Sequence, residues 1–166
     1  MGYEQKLLWQ TLTDRCPNIH FQHYYNNRIP YTDSSFNAVA AYGVIEHIPA
    51  GEIEQVMSEI MRVTKTDGHL FISYLPRKLA LLEILLTFMG RWHHQRRWSD
   101  SEITRFLTRF NFQTILRKRI IFAPQFPSQT ANRNKPLFDR IDLLADIWPF
   151  SLLARDLLVV GKKRSG

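Results

Sequence analysis

The chain has 166 residues, of which 45% are hydrophobic and 13% aromatic, a composition typical of one packed globular domain and not of a disordered chain. A single cysteine, Cys16, excludes an intramolecular disulfide and a C-x-x-C metal or redox site, which favours a reducing, cytoplasmic compartment. The longest apolar run, residues 79–89, is shorter than the roughly 20 residues that a membrane span needs.

The formal net charge of +7 is unevenly distributed. Residues 1–76 carry five basic and eight acidic side chains (net −3), whereas residues 77–166 carry seventeen and seven (net +10). A basic half is typical of proteins that meet phospholipid, nucleic acid or a phosphorylated substrate, and equally of a solvated surface that keeps a protein soluble. Both interpretations stay open, although no RNA-binding motif accompanies the basic residues and nucleic acid is the less favoured partner.

The first part of the chain alternates helices and strands. An apolar face predicts a helix over residues 3–15, which Pro17 ends because proline cannot continue an interior helix. Residues 19–25 alternate well enough for a short strand. Residues 36–42 are apolar at nearly every position, which predicts a central parallel strand buried on both faces.

A well-marked amphipathic helix is predicted from about Glu52, with acidic residues early and basic residues late, as the helix dipole favours. Asp67 and Gly68 are predicted to end it, Gly68 supplying the left-handed residue. A buried strand over 70–75 follows.

The C-terminal half begins with a predicted apolar helix over 78–90 and a basic stretch over 91–98. Ser99 and Glu102 form a capping box, which predicts the start of the next helix. Strands are predicted over 113–122 and 157–160, with a further amphipathic helix between them. The basic residues 117–119 indicate an edge strand, where charge deters aggregation.

Five short motifs of the first half carry a family resemblance. In order they are Ile29-Pro30-Tyr31, Asp33-Ser34-Ser35-Phe36-Asn37-Ala38-Val39, Gly43-Val44-Ile45-Glu46-His47-Ile48, Ile60-Met61-Arg62-Val63-Thr64-Lys65 and Asp67-Gly68-His69-Leu70. This series resembles the class I S-adenosylmethionine-dependent methyltransferases, in the small-molecule branch with an LPF, SFD, LEH and RVLKPGG signature. The similarity covers residues 4–76 by motif, and the chain from Trp98 onward by pattern only.

The resemblance implies an α/β, Rossmann-like fold with a seven-stranded sheet of order 3-2-1-4-5-7-6, in which strand 7 is antiparallel. The family's strands 3, 4, 5, 6 and 7 then correspond to residues 19–25, 36–42, 69–75, 113–122 and 154–161. The chain would begin after strand 1 and most of strand 2, as a single domain incomplete at its N-terminus. We therefore predict a mostly parallel sheet of order 3-4-5-7-6.

The glycine-rich turn that ends the family's first strand is missing. Its bare backbone approaches the cofactor closely, which only glycine permits. Here the only glycine before Gly43 is Gly2. The resemblance implies S-adenosylmethionine as cofactor, and this departure predicts weak binding or none by the chain alone. Tyr25 and Asn37 also replace residues that are often acidic in the family.

By resemblance, the cofactor-binding residues are Glu4 for the ribose, Tyr25 and Asn26 for the adenine edge, and Tyr42 and Gly43 for the methionine end. His47 is the candidate catalytic residue, because an imidazole titrates near working pH and can accept a proton from a substrate hydroxyl or amine. The alternative for His47 is a turn residue with a satisfied ring.

Residues 77–98 are predicted to form a substrate-side insertion facing a lipid-like or anionic molecule, the alternative being a core helix with a solvated basic end. The substrate-side candidates are Glu46, Trp92, His93, His94, Arg96 and Arg97. No set of cysteine, histidine and carboxylate residues has the spacing of a zinc site, so no metal is predicted.

Three functional hypotheses follow from these observations. The first is a protein derived from a small-molecule methyltransferase and inactive alone. The second is a non-catalytic scaffold or assembly partner, in which a second copy or a partner chain covers the strand at 36–42. The third is a basic protein peripheral to a membrane or associated with RNA.

Overall fold

The computed structural model describes residues 28–78, 96–120 and 156–165, and isolated positions at 18, 80, 140, 147, 149–152 and 154. The chain divides into two units, Met1–Pro30 and Tyr31–Gly166, and the helices and strands below all belong to the second. Of the first unit, only positions 18 and 28–30 are described. Four predicted elements lie outside the described ranges. They are the helix over 3–15, the strand over 19–25, the helix over 78–90 and the amphipathic helix between the last two strands.

Four strands form one mixed sheet: β1 (Phe36–Tyr42), β2 (Thr64–Pro76), β3 (Phe112–Ile120) and β4 (Asp156–Lys163). Their spatial order is β1-β2-β4-β3, with β1 parallel to β2 and β4 antiparallel to both of its neighbours. The predicted α/β fold is thereby confirmed. The predicted order 3-4-5-7-6, with the place of residues 19–25 and the missing strands, remains a prediction.

Two helices, α1 (Ile53–Val63) and α2 (Asp100–Arg109), lie on one face of this sheet. The Lys163 ammonium of β4 donates to the carbonyls of Met61 and Thr64, at 2.7 Å each, and Arg119 of β3 donates to the Asp100 carboxylate at 2.7 Å. The core fills the space between helices and sheet. Its fully buried side chains include Met57, Val63, Leu70, Ile72, Leu75, Ile103, Leu107, Phe112, Leu157 and Val159.

The predicted capping box begins α2. The Glu102 amide donates to the Ser99 hydroxyl at 3.2 Å, and the Ser99 amide donates to the Glu102 carboxylate at 2.8 Å, so two otherwise unpaired donors are satisfied. The Lys78 ammonium also binds Glu102. This hydrogen bond, followed by those from Ser99, lowers the pKa of Glu102 to about 2.

Arg62, near the end of α1, fixes the segment that leads into β1. Its guanidinium binds the Glu59 carboxylate through two hydrogen bonds of 2.8 and 2.7 Å. One nitrogen also donates to the Tyr31 carbonyl and to the Asp33 carboxylate, both at 2.8 Å. The hydrogen bonds to Glu59 and Asp33 hold the pKa of Arg62 above its ordinary value.

The end of α1 differs from the prediction. The helix ends at Val63 and β2 begins at once with Thr64, six residues before the predicted start of the strand at residue 70. The left-handed residue is Asp67, with φ of 61°, and Gly68 is not left-handed. Gly68 is required for another reason, because a Cβ there would lie 2.8 Å from the Lys65 carbonyl oxygen.

The prediction that residues 36–42 are buried on both faces is wrong. Only Ala41 is buried in β1, whereas Asn37, Ala38, Ala40 and Tyr42 are exposed. The reason is that α1 and α2 cover a single face of the sheet, and that among the described strands β1 pairs with β2 alone.

Gly68→Ala is expected to destabilise the protein by about 2 kcal/mol, because the new methyl group meets backbone atoms that cannot move aside cheaply. Urea unfolding measures the loss. Gly51→Ala is the matched control, since nothing lies within 4 Å of a Cβ at Gly51, and its change should stay within about 0.5 kcal/mol. Equal effects of the two substitutions would contradict the close approach at Gly68.

Candidate functional site

The site forms where β1 and β2 end, because the carboxyl ends of parallel strands meet at one edge of a sheet. Tyr42 is the last residue of β1, and the amide of Gly43 donates to the Ser73 carbonyl of β2 at 3.3 Å. Gly43 has φ of 62°, a conformation that favours glycine. The chain then makes one 3-10 turn over Ile45–His47.

A buried carboxyl group and an exposed imidazole stand side by side on that turn. Glu46 is 3% exposed, and its Oε2 atom has no hydrogen-bond partner in the described part of the chain. Its Oε1 atom lies 3.7 Å from Nε2 of His47, whose side chain is 66% exposed. Burial raises the pKa of Glu46, while the backbone hydrogen bond and His47 act in the opposite direction.

A tyrosine pair lies beside the turn. The Tyr42 and Tyr74 hydroxyls share a hydrogen bond of 2.6 Å, and the rings meet edge to face with centroids 4.5 Å apart. Tyr74 has φ of 62°, which is rare for a bulky residue and often marks functional positions. Burial, together with the hydrogen bond to Tyr42, raises the pKa of Tyr74 to about 12. The sequence analysis missed Tyr74, because a left-handed tyrosine inside a strand leaves no sequence signal.

The two ends of the predicted 77–98 insertion meet at this same edge. The Trp98 amide donates to the Pro76 carbonyl at 2.8 Å, and the Lys78 amide donates to the Trp98 carbonyl at 3.1 Å. Because β4 pairs with the other side of Pro76, Trp98 lies on the side of β2 where β1 has ended. Arg96 lies over the Trp98 ring at 5.4 Å from its centroid.

Several predicted site residues are therefore close in space. Tyr42, Gly43, Glu46 and His47 share one turn, and Arg96 and Arg97 lie in the short described segment that precedes α2. The remaining candidates, Glu4, Tyr25, Asn26, Trp92, His93 and His94, lie outside the described residues, so their roles stay predictions. Within the described ranges there is no group of three or more histidine, cysteine or carboxylate residues that could hold a metal ion. In the same ranges no helix has the length and hydrophobicity to cross a membrane.

The described residues fit one end of S-adenosylmethionine. The left-handed Gly43 leaves room beside the strand end, and the Glu46 carboxyl has an unused acceptor that suits the amino group of a methionine moiety. For the nucleoside, no glycine-rich turn occurs among residues 28–78, 96–120 and 156–165. The fit is therefore limited to the methionine end.

The comparisons agree with this geometry. Residues 4–72 match the profile of a family described as a methyltransferase domain. No curated protein matches the chain. Solved structures share its fold.

The YcgJ protein of Bacillus subtilis has 17% sequence identity and a TM-score of 0.61 over 99% of this chain and 80% of its own. The 1,6-didemethyltoxoflavin N1-methyltransferase of Burkholderia thailandensis, solved with S-adenosylhomocysteine, has 14% identity and a TM-score of 0.60 over 95% and 56%. The 4+2 cyclase SpnF has 17% identity and a TM-score of 0.62 over 97% and 62%. The chain thus spans less than two thirds of the last two proteins.

The family match supports a methyltransferase-like domain and covers residues 4–72, less than half of the chain. At these identities the structural likeness establishes the fold alone, and the same fold in SpnF carries a cyclase.

Glu46→Gln is expected to stabilise the protein at neutral pH by about 1 kcal/mol, because it removes a carboxylate from a buried place. The raised pKa means that Glu46 contributes most to stability below its ordinary value of 4.5, and that this contribution is lost as pH rises through the folded-state pKa. Urea unfolding across pH 4 to 8 measures the effect: the free energy of unfolding of the original protein should fall over this range through Glu46, and that fall should be absent in Glu46→Gln. Glu52→Gln, at an exposed position, controls for the loss of one negative charge. If the dependence of stability on pH were unchanged in Glu46→Gln, the raised pKa of Glu46 would be refuted.

Tyr42→Phe should lower the pKa of Tyr74 from about 12 part of the way to its ordinary value, because the hydrogen bond disappears while burial persists. NMR titration of isotope-labelled tyrosine rings measures the shift. Tyr31→Phe is the control, since the Tyr31 ring packs on Phe36 instead. If the pKa of Tyr74 were the same in Tyr42→Phe as in the original protein, the hydrogen bond between the two hydroxyls would not form.

Proposed function

We propose that this chain is a domain of the S-adenosylmethionine-dependent methyltransferase type, derived from an enzyme that methylates small molecules. By itself the chain binds its cofactor weakly and does not catalyse methyl transfer. The observation that carries the proposal is the turn after β1, where a left-handed Gly43, a buried Glu46 and an exposed His47 follow one another at the carboxyl edge of the sheet. The family profile over residues 4–72 supports it.

The chemistry expected at this turn is proton handling and alignment. S-adenosylmethionine supplies an electrophilic methyl group when it is bound. The exposed His47 imidazole is placed to accept a proton from a substrate hydroxyl or amine, and Glu46 lies close enough to bias the orientation of the ring. Alignment of the nucleophile supplies much of the rate in such transfers. We expect an anionic or lipid-like substrate, since Arg96 and Arg97 directly precede Trp98, whose amide donates to the Pro76 carbonyl at the end of β2.

Weak binding is expected because the nucleoside end of the cofactor has no glycine-rich turn to bind it in the described residues. Backbone amides in a glycine-rich turn hold anionic and nucleoside groups without a side chain in the way. The sequence has seven glycines, and before Gly43 only Gly2 occurs. Glu4, Tyr25 and Asn26 are the proposed contacts to the nucleoside.

We further propose that the protein is located in the cytoplasm.

A second candidate function, a non-catalytic scaffold, is favoured by one observation. The sheet face opposite α1 and α2 exposes large apolar side chains, among them Phe71 (42% exposed), Ile115 and Leu116. Soluble monomers rarely leave such a patch uncovered without a partner.

Titration of the chain with S-adenosylmethionine, followed by NMR, tests the proposal. We expect a dissociation constant weaker than about 1 mM, with shifts concentrated at Tyr42, Gly43 and His47. Glu46→Ala should weaken the response further, whereas Glu52→Ala should not. Micromolar binding or methyl transfer by the chain alone would overturn the predicted inactivity. Shifts absent at saturating cofactor would leave the scaffold as the better function.

A further inference from the structure

The carboxyl group of Glu46 is buried at the candidate site with one oxygen unused. The residue is 3% exposed, and its Oε2 atom has no hydrogen-bond partner in the part of the chain that the structure describes. A buried carboxylate without a partner is costly, so burial favours the neutral, protonated acid in the free protein. A ligand that brings both a positive charge and a hydrogen-bond donor reverses this preference.

The backbone beside this carboxyl leaves room for a ligand. Gly43 has φ of 62°, and a Cβ on it would lie 3.7 Å from Oε1 of Glu46, the one described atom within 4 Å apart from its chain neighbours. The Gly43 amide donates to the Ser73 carbonyl, which places it at the carboxyl edge of the sheet, where open α/β sheets bind their ligands. The carboxyl therefore borders an open space at this edge.

Among the described residues, three other titratable side chains stand around Glu46. His47 lies on the same turn, with Nε2 3.7 Å from Oε1, and favours the charged carboxylate. β2, which packs against the turn, contributes Tyr74, whose pKa of about 12 keeps its hydroxyl neutral near pH 7. Tyr42, at the end of β1, shares a hydrogen bond with Tyr74. A change of ligand affinity in mildly acidic solution therefore has two sources at this edge, Glu46 and His47.

We propose that Glu46 selects a ligand with a primary ammonium group and binds it as a carboxylate, so that binding expels one proton from the protein and strengthens as the pH rises. This inference rests on the proposed function, in which the ammonium belongs to the amino-acid end of S-adenosylmethionine. The neutral acid gives its proton to solvent, and the ammonium donates an N–H to Oε2 and offsets the negative charge. Affinity is low well below the pKa of Glu46, rises through it, and is constant above it.

An ammonium group suits this carboxyl better than a metal ion or a neutral donor. The described ranges contain no group of three or more histidine, cysteine or carboxylate residues that could hold a metal ion. A neutral donor such as a hydroxyl leaves the buried negative charge uncompensated, so it binds without ionising Glu46 and its affinity does not rise with pH. The pH dependence of binding therefore distinguishes an ammonium from a neutral donor.

The test compares two ligands by NMR titration of the full chain. S-adenosylhomocysteine carries the ammonium and has no charge on its sulfur, whereas 5′-methylthioadenosine has the same nucleoside without the amino-acid end. We expect S-adenosylhomocysteine to bind about 3-fold or more tightly at roughly pH 7.5 than at roughly pH 5, because Glu46 ionises in between. The affinity for 5′-methylthioadenosine should be the same at both pH values.

Three variants identify the group that titrates. Glu46→Gln keeps the size of the side chain, and its affinity for S-adenosylhomocysteine should be lower and independent of pH. Glu52→Gln, at an exposed position, should keep the rise. His47→Gln should also keep the rise but move its midpoint to higher pH, because His47 no longer favours the charged form of Glu46.

A rise that persists in Glu46→Gln, or one that disappears in His47→Gln, would overturn the proposal. Binding at the turn that does not depend on pH would overturn the proton release and leave the proposed function standing. No shifts at Tyr42, Gly43 and His47 at saturating S-adenosylhomocysteine would overturn both.

Discussion

The parallel pairing of β1 with β2 is the constraint on which the rest of the structure depends. It brings the ends of both strands to one edge, so the turn at Gly43 lies beside Ser73 and Tyr74. It also places the return of the chain at Trp98 against β2 just past the end of β1. A crossover through α1 makes this pairing possible, because parallel neighbours need a long connection.

Charged side chains join the helices to the sheet at its borders, around the apolar core that lies between them. Lys163 reaches two carbonyls at the junction of α1 and β2, Arg119 binds the first residue of α2, and Arg109 of α2 binds Glu54 of α1 at 2.6 Å. All of these contacts lie on one face. That face is therefore covered by the two helices and held to them by charged contacts.

The site combines groups of opposite exposure. Glu46 is buried with a raised pKa, His47 faces solvent, and the Tyr42 hydroxyl is held by Tyr74. Such neighbours are typical of positions that handle protons, because environment sets each group's affinity for a proton separately. The fold alone does not decide the chemistry, since the same architecture carries a methyltransferase and a cyclase.

The sequence by itself determined the local structure: the amphipathic spacing of α1, the capping box of α2, the strand at 36–42 and a strand beginning near residue 113 all depend on neighbours in the chain. It also brought Tyr42, Gly43, Glu46 and His47 together, because they are consecutive or nearly so. Only the tertiary structure decided that Gly68 is needed for close approach, that Tyr74 is left-handed, and that β1 is exposed on one face. These properties depend on atoms far away in the sequence, and a run of apolar residues cannot show which of its faces has a covering element.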